Sequence, residues 1–120
     1  MMEKKIELKE EDFGKAYSGE YLFVSMGWGA TNRLAAECTK INPANKQTLI
    51  DMKMLNAKTL MATLLKKPKI ITLEHLLDES SEGLPPALGE FLMTVADYVN
   101  GYSTEERIKL KNLKEQWNLE

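Results

Sequence analysis

The chain has 120 residues, 43% hydrophobic and 28% charged, with a net charge of −2. That balance excludes wholesale disorder, which needs fewer apolar residues and a larger net charge, and the length fits a single domain over residues 1–120. The mild acidity, with Arg33 and Arg107 the only arginines, supplies no field for a phosphate backbone, so nucleic acid is not an expected partner.

From the start, Ile6 and Leu8 alternate with Glu7 and Lys9, a period of two that predicts a half-buried strand over Lys5 to Lys9. Tyr21 to Met26, rich in aromatic and β-branched types, predicts a second strand. Glu11 to Glu20 joins them, with Gly14 and Gly19 as turn formers, so the two strands are expected to pair antiparallel. Two strands alone are marginal, and helices must cover one face.

Gly27-Trp28-Gly29 ends the second strand, and Trp28 is expected to pack over the sheet edge. Thr31 suits the N-cap of a helix to about Ile41, with Leu34, Cys38 and Ile41 on one face. Asn42 to Asn45 reads as a loop. Residues 48–54 read either way: Ile50, Met52 and Met54 alternate as a strand would, yet Asp51 suits a helix N-cap. The helix is favoured, because Met52, Leu55, Met61, Leu64 and Leu65 carry apolar spacing on toward Lys67. Pro68 stops it, leaving Lys66 and Lys67 where a helix C-terminus favours cations.

Lys69 to Ile71 reads as extended, a candidate third strand, and Thr72 as the cap of a short helix through Leu77. Ser80 to Gly83 is a connector. Pro85 and Pro86 then open a helix whose Leu88, Phe91, Leu92, Val95, Tyr98 and Val99 recur at steps of three and four. Gly101 suits its left-handed cap. Ser103 and Glu106 form the capping box of a last helix bearing Leu110, Leu113 and Trp117. The expected fold class is α+β, mostly helical: an N-terminal antiparallel β-hairpin packed on about four to five helices that end in an αα-hairpin.

No residues spell out an enzyme site. His75, the only histidine, lacks ligand or triad partners at a suitable spacing. Cys38 cannot form an internal disulfide and sits toward a helix C-terminus, where the dipole disfavours a thiolate, so it reads as core. Gly27-Trp28-Gly29-Ala30-Thr31-Asn32, with Asp51 downstream, has the strand-to-helix setting of a dinucleotide fingerprint, but Asn32 replaces the third glycine. Glu10/Glu11 and Glu105/Glu106 read as solvated faces or helix starts. No cofactor, metal or small-molecule substrate is expected. The N-terminal segment has no apolar h-region, and no apolar run approaches the ~20 residues needed to span a bilayer, so the expected location is the cytoplasm, without a membrane partner. The seven methionines, Met52, Met54, Met61 and Met93 among them, read chiefly as core filling. Tyr17, Tyr21, Phe23, Trp28 and Trp117 also read as core, although aromatic residues anchor interfaces too.

Tyr17-Ser18-Gly19-Glu20-Tyr21-Leu22-Phe23, Trp28-Gly29, Asn32-Arg33-Leu34 and Glu37-Cys38-Thr39 resemble the N-terminal half of the phage tail assembly chaperones, a family with prophage and archaeal-virus relatives. Leu84-Pro85, Leu88-Gly89, Leu92 and Val99-Asn100-Gly101, with the lysine-rich helix behind them, resemble the C-terminal half. The resemblance implies a non-catalytic role in the host cytoplasm: self-association and binding of a long helical tape measure protein before the tail tube polymerises around it. Family members are often made in two lengths through a ribosomal frameshift. A small virion structural or adaptor protein of the tail-completion type is the alternative, with a nucleotide-binding module on the Gly27-Trp28-Gly29 turn behind it.

A partner of this kind calls for a groove that tolerates sequence variation, lined by Met and Leu between amphipathic helices. The residues expected to line it are Met52, Leu55, Met61 and Leu64 on one side and Leu88, Phe91, Leu92, Val95, Tyr98, Leu113 and Trp117 on the other. An uncovered edge strand is the other expected assembly surface.

Overall fold

The computed structural model describes residues 2–119, and its architecture is α+β with about half of the chain helical. Strand β1 (Glu3–Leu8) pairs antiparallel with β2 (Gly19–Val24). Between them lie a short helix α1 (Glu10–Phe13) and a 3₁₀ turn at Lys15–Tyr17. Alternation sends Ile6 and Leu8 to the inner face beside Tyr21 and Phe23, while Lys5, Glu7, Glu20 and Leu22 face outward. On that outer face Lys5 and Lys66 both reach Glu20, at 3.3 and 3.7 Å.

Helix α2 (Trp28–Glu37) begins three residues before the expected Thr31 cap, with Gly27 extended at its N-cap. The Thr31 hydroxyl donates back to the Gly27 carbonyl at 3.2 Å, so Thr31 serves inside the first turn. Trp28 does not cover the sheet edge: it projects from the helix start, 83% exposed. The helix ends at Glu37, and the chain enters an antiparallel hairpin of β3 (Thr39–Ile41) and β4 (Thr48–Ile50). Leu34 and Cys38 are buried as expected, but Ile41 belongs to the hairpin and is exposed. Lys46 closes the hairpin loop at φ 56°, a left-handed residue without glycine's signature.

The ambiguous stretch resolves into both readings in sequence: β4 ends at Ile50, and α3 (Met52–Thr63) starts behind Asp51, whose carboxylate accepts from the Met54 amide at 3.0 Å. Helix α3 stops four residues short of Lys67. Leu64 turns extended, and β5 (Leu64–Lys66) joins β2, giving the sheet order β1-β2-β5. The helix-like spacing of Leu64 and Leu65 yields to strand pairing, with a bulge between Leu22 and Phe23. Lys66 is therefore an outer-face sheet residue and not a helix-terminal cation. The third strand lies here, not at Lys69–Ile71, where a turn closed by the Ile71 amide on the Pro68 carbonyl (3.1 Å) buries Ile71.

Thr72 caps α4 (Leu73–Leu77) as expected, accepting from the His75 amide at 3.2 Å. Helix α5 (Pro86–Val99) lays Leu88, Leu92, Ala96 and Val99 on the inner sheet face against Tyr21, Phe23, Leu60 and Leu64. Gly101 takes the left-handed cap (φ 82°), and the Tyr102 amide donates to the Asp97 carbonyl at 2.8 Å. Helix α6 (Thr104–Gln116) follows, its Ser103 hydroxyl accepting from the Glu106 amide at 3.3 Å. The two helices succeed one another as expected, but α6 buries no side chain, and Leu110, Leu113 and Trp117 stand in solvent. The radius of gyration, 16.6 Å, exceeds the about 14 Å of a compact chain this long, as a projecting helix and hairpin require.

Candidate functional slot between α3, α4 and α5

Helix α5 presents three faces, and they explain where the expected groove residues lie. Leu88 and Leu92 sit on the core face with no exposure, and Leu64 is buried in β5 beneath them. These three are structural and cannot meet a partner. On one flank, Phe91, Val95 and Tyr98 turn toward β1 and α1. Phe91 joins Leu8, Asp12 and Phe13 around a shallow cleft of about 300 Å³, while Val95 and Tyr98 join Lys4, Ile6 and Thr94 around another of about 290 Å³. Among the described strands, β1 is a sheet edge here, so this flank lies beside the unpaired side of a strand. Met61 packs against the core, Leu55 is half-buried, and Met52 is exposed at the start of α3. Leu113 and Trp117 lie out on α6. The expected residues thus do not converge on a single surface.

A slot does open between α3 and α5, on the other flank of α5. Ala57 and Leu60 of α3, Leu76 of α4, Leu84, and Gly89 and Met93 of α5 line it, with Lys53 and Asn56 at the mouth. Its volume is about 240 Å³, below the about 300–1,000 Å³ of small-molecule pockets and suited to apolar side chains entering from a surface. Gly89 makes it possible: a Cβ there would stand 3.3 Å from the Leu84 Cδ2 and narrow the opening. Met93, one turn on, supplies an adaptable wall. The sequence reading set Met93 down as core and did not single out Gly89 as a site residue. The available signal was a glycine inside a helix, followed at four residues by a methionine and flanking the Leu88/Leu92 stripe.

The charged side chain lining the slot is Lys53, and acidic residues lie in the neighbouring segment. Glu74, Asp78, Glu79 and Glu82 crowd the segment from α4 to the next connector, which has neither lysine nor arginine. The Ser80 amide and hydroxyl beside Asp78 hold its carboxyl below the usual carboxylate range, with smaller help from His75 and Lys53. The Ser80 amide donates to the Asp78 Oδ1 at 2.8 Å, so this carboxylate both shapes the connector and keeps its charge. Lys53 reaches across to Glu79 at 3.0 Å.

Within α4, His75 is half-buried rather than free: its Nε2 and the Tyr17 Oη share a hydrogen bond of 2.6 Å. The Tyr21 hydroxyl donates to the Tyr17 carbonyl at 2.7 Å, so this polar chain ties α4 to the sheet. Cys38 is buried. No cluster of three or more metal-ligating side chains occurs among the described residues, and no helix there is long and apolar enough to cross a membrane. The Gly27-Trp28-Gly29 turn leads through α2 into an antiparallel hairpin, whereas a dinucleotide fingerprint would continue into a parallel strand beside β2. Comparison with protein-family models, with curated proteins and with solved structures finds no match to this chain.

Proposed function

We propose that this chain is a non-catalytic, tail assembly chaperone-like protein that holds a long helical partner until that partner is built into a larger assembly. The observation that carries the reading is the slot. It is apolar at its floor, open to the surface, lined partly by a glycine and a methionine, and set at a junction of three helices. An amphipathic helix laid across it would insert a large apolar side chain and meet polar groups at the mouth. A methionine wall adapts to different side chains, which suits a partner that offers many similar but non-identical turns. The phage-tail resemblance of the sequence supplies the class of partner, a tape measure-like chain in the host cytoplasm.

Each slot contact is small, so a long partner would be held by several copies bound side by side, with avidity taking the place of single-site affinity. Release is then cooperative once a competing assembly takes over the helix. The test is co-expression with a long α-helical, tape measure-like protein. The partner is expected to become soluble and to co-purify with several copies of the chain. A partner that stays insoluble and unbound overturns the reading.

A further inference from the structure

Strand β1 is an open edge of the sheet, and its sequence is complementary to itself in one register. Pairing with β2 leaves alternate backbone groups of β1 facing away. The Ser25 amide donates to the Met2 carbonyl at 2.9 Å, and the register runs without a shift from Glu3/Val24 to Leu8/Gly19. Lys4 and Ile6 therefore direct their backbone groups at β2. The N–H and C=O groups of Glu3, Lys5 and Glu7 point to the other side, where no described strand lies. Alternation also puts these three side chains on the outer face, and Lys9, still extended at φ −94° and ψ 162°, continues the row. The row reads Glu3, Lys5, Glu7, Lys9, alternating in sign. Lys5 already reaches Glu20, whereas the residue opposite Glu7 on β2 is Glu20, a like charge.

We propose that β1 of a second copy pairs antiparallel with this edge, about a two-fold axis at Ile6. Lys5 of each copy then opposes Glu7 of the other, both with backbone groups free to bond, and Glu3 opposes Lys9. A slide of two residues either way, the least that keeps the inner face inside, sets Lys5 against Lys5 or Glu7 against Glu7. Charge thus selects one register, and selects a second copy as the occupant. On the inner face Ile6 meets Ile6 in a non-hydrogen-bonded pair, where side chains approach most closely. Lys4, exposed and inward, would guard the edge against most strands. In this register it lies over Leu8 of the second copy, beside the Asp12 that shares a cleft with Leu8. The Val95 and Tyr98 flanks of the two α5 helices are brought toward each other, where one copy alone leaves Tyr98 51% exposed beside its cleft. The dimer is isologous, with a continuous sheet of three strands from each copy. It goes beyond the helix-binding reading and leaves the slot, on the other flank of α5, uncovered.

The experiment is the molar mass of the full chain by light scattering at tens of micromolar, without any partner protein. Wild type is expected at twice the 13.6 kDa monomer mass. Lys5→Glu sets acid against acid on both sides of the axis, and Glu7→Lys sets lysine against lysine, so each alone is expected at the monomer mass. An equimolar mixture of the two is expected to recover the doubled mass, because every opposed pair is again acid against base. Circular dichroism of each variant checks that it is folded. Ile6→Cys reads the register: mild oxidation is expected to cross-link it across the axis, while wild type, whose Cys38 is buried, stays uncross-linked. A monomeric wild type overturns the proposal. So does a mixture of folded variants that stays monomeric, or a folded dimeric Ile6→Cys chain that does not cross-link. Partner binding at the slot is read separately, by co-purification.

Discussion

The side-chain amide of Asn100 donates to the hydroxyl of Thr63 at 3.1 Å, joining the end of α5 to the end of α3. The same Asn100 accepts from the Met26 amide at 2.8 Å, and the Thr63 hydroxyl donates to the Thr59 carbonyl at 2.8 Å. Three chain segments are thus pinned where β2 ends, and Thr63 is fully buried while doing it. This knot ties the C-terminal ends of α3 and α5 to each other.

Thr63→Val keeps the shape and removes the hydroxyl, leaving the Asn100 amide without its partner. It is expected to destabilise by about 1–3 kcal/mol in urea unfolding. Asn100→Ala should cost more, because the Met26 amide also loses its acceptor. A double-mutant cycle should show coupling of about 0.5–3 kcal/mol, and strict additivity would mean the two side chains act independently.

The two connector and slot glycines should respond oppositely. A Cβ at Gly83 would run into the Asp78 backbone carbonyl, so Gly83→Ala is expected to lose about 1–3 kcal/mol. A Cβ at Gly89 meets only the terminal Leu84 methyl at 3.3 Å, which can rotate aside. Gly89→Ala should therefore gain about 0.5–1 kcal/mol from helix propensity, read as a higher thermal midpoint.

Leu92 and Trp117 belong to one sequence pattern but not to one environment. Leu92→Ala should cost about 2–5 kcal/mol, since Leu92 is wholly buried. Trp117→Ala, at a side chain 68% exposed, should change the stability of the diluted monomer by no more than about 0.5 kcal/mol.

Alkaline pH should weaken the fold. Burial, with the charge of Tyr17 adding, pushes the Tyr21 phenol up to about 12 from 10.0, and burial raises Tyr17 as well. The folded state therefore holds these protons more tightly than the unfolded one. Stability is complete below about pH 10 and falls as pH climbs through about 12. Tyr21→Phe should flatten that fall and cost about 1 kcal/mol at neutral pH, through the lost bond to the Tyr17 carbonyl. Denaturation midpoints across the alkaline range check both.

Local signals marked the ends of elements well wherever a side chain or a glycine does the capping. Asp51, Thr72, Ser103 and Gly101 act as their types predict, because capping is decided within a few residues. Period-two alternation likewise found β1, and aromatic and β-branched composition found β2. What misled was apolar spacing near a junction. Leu64 and Leu65 continue a helical pattern, but β2 offers Leu64 a strand partner, and only the tertiary fold creates that offer. The groove residues failed for a related reason. Periodicity gathers Leu88, Phe91, Leu92, Val95 and Tyr98 into one apolar arc, while packing divides that arc between the core and the β1 flank. The slot falls on the third face, at Gly89 and Met93, where the sequence holds a gap rather than a stripe.

Co-purification of the long helical partner with wild type and with Gly89→Leu tests the central claim most directly. A leucine at 89 fills the slot from the α5 side, and the thermal midpoint of the variant confirms that the fold is intact. The slot account predicts that wild type brings down the partner with several copies bound, and that the folded variant brings down little or none. Equal recovery by both would contradict it and place any partner binding elsewhere on the surface.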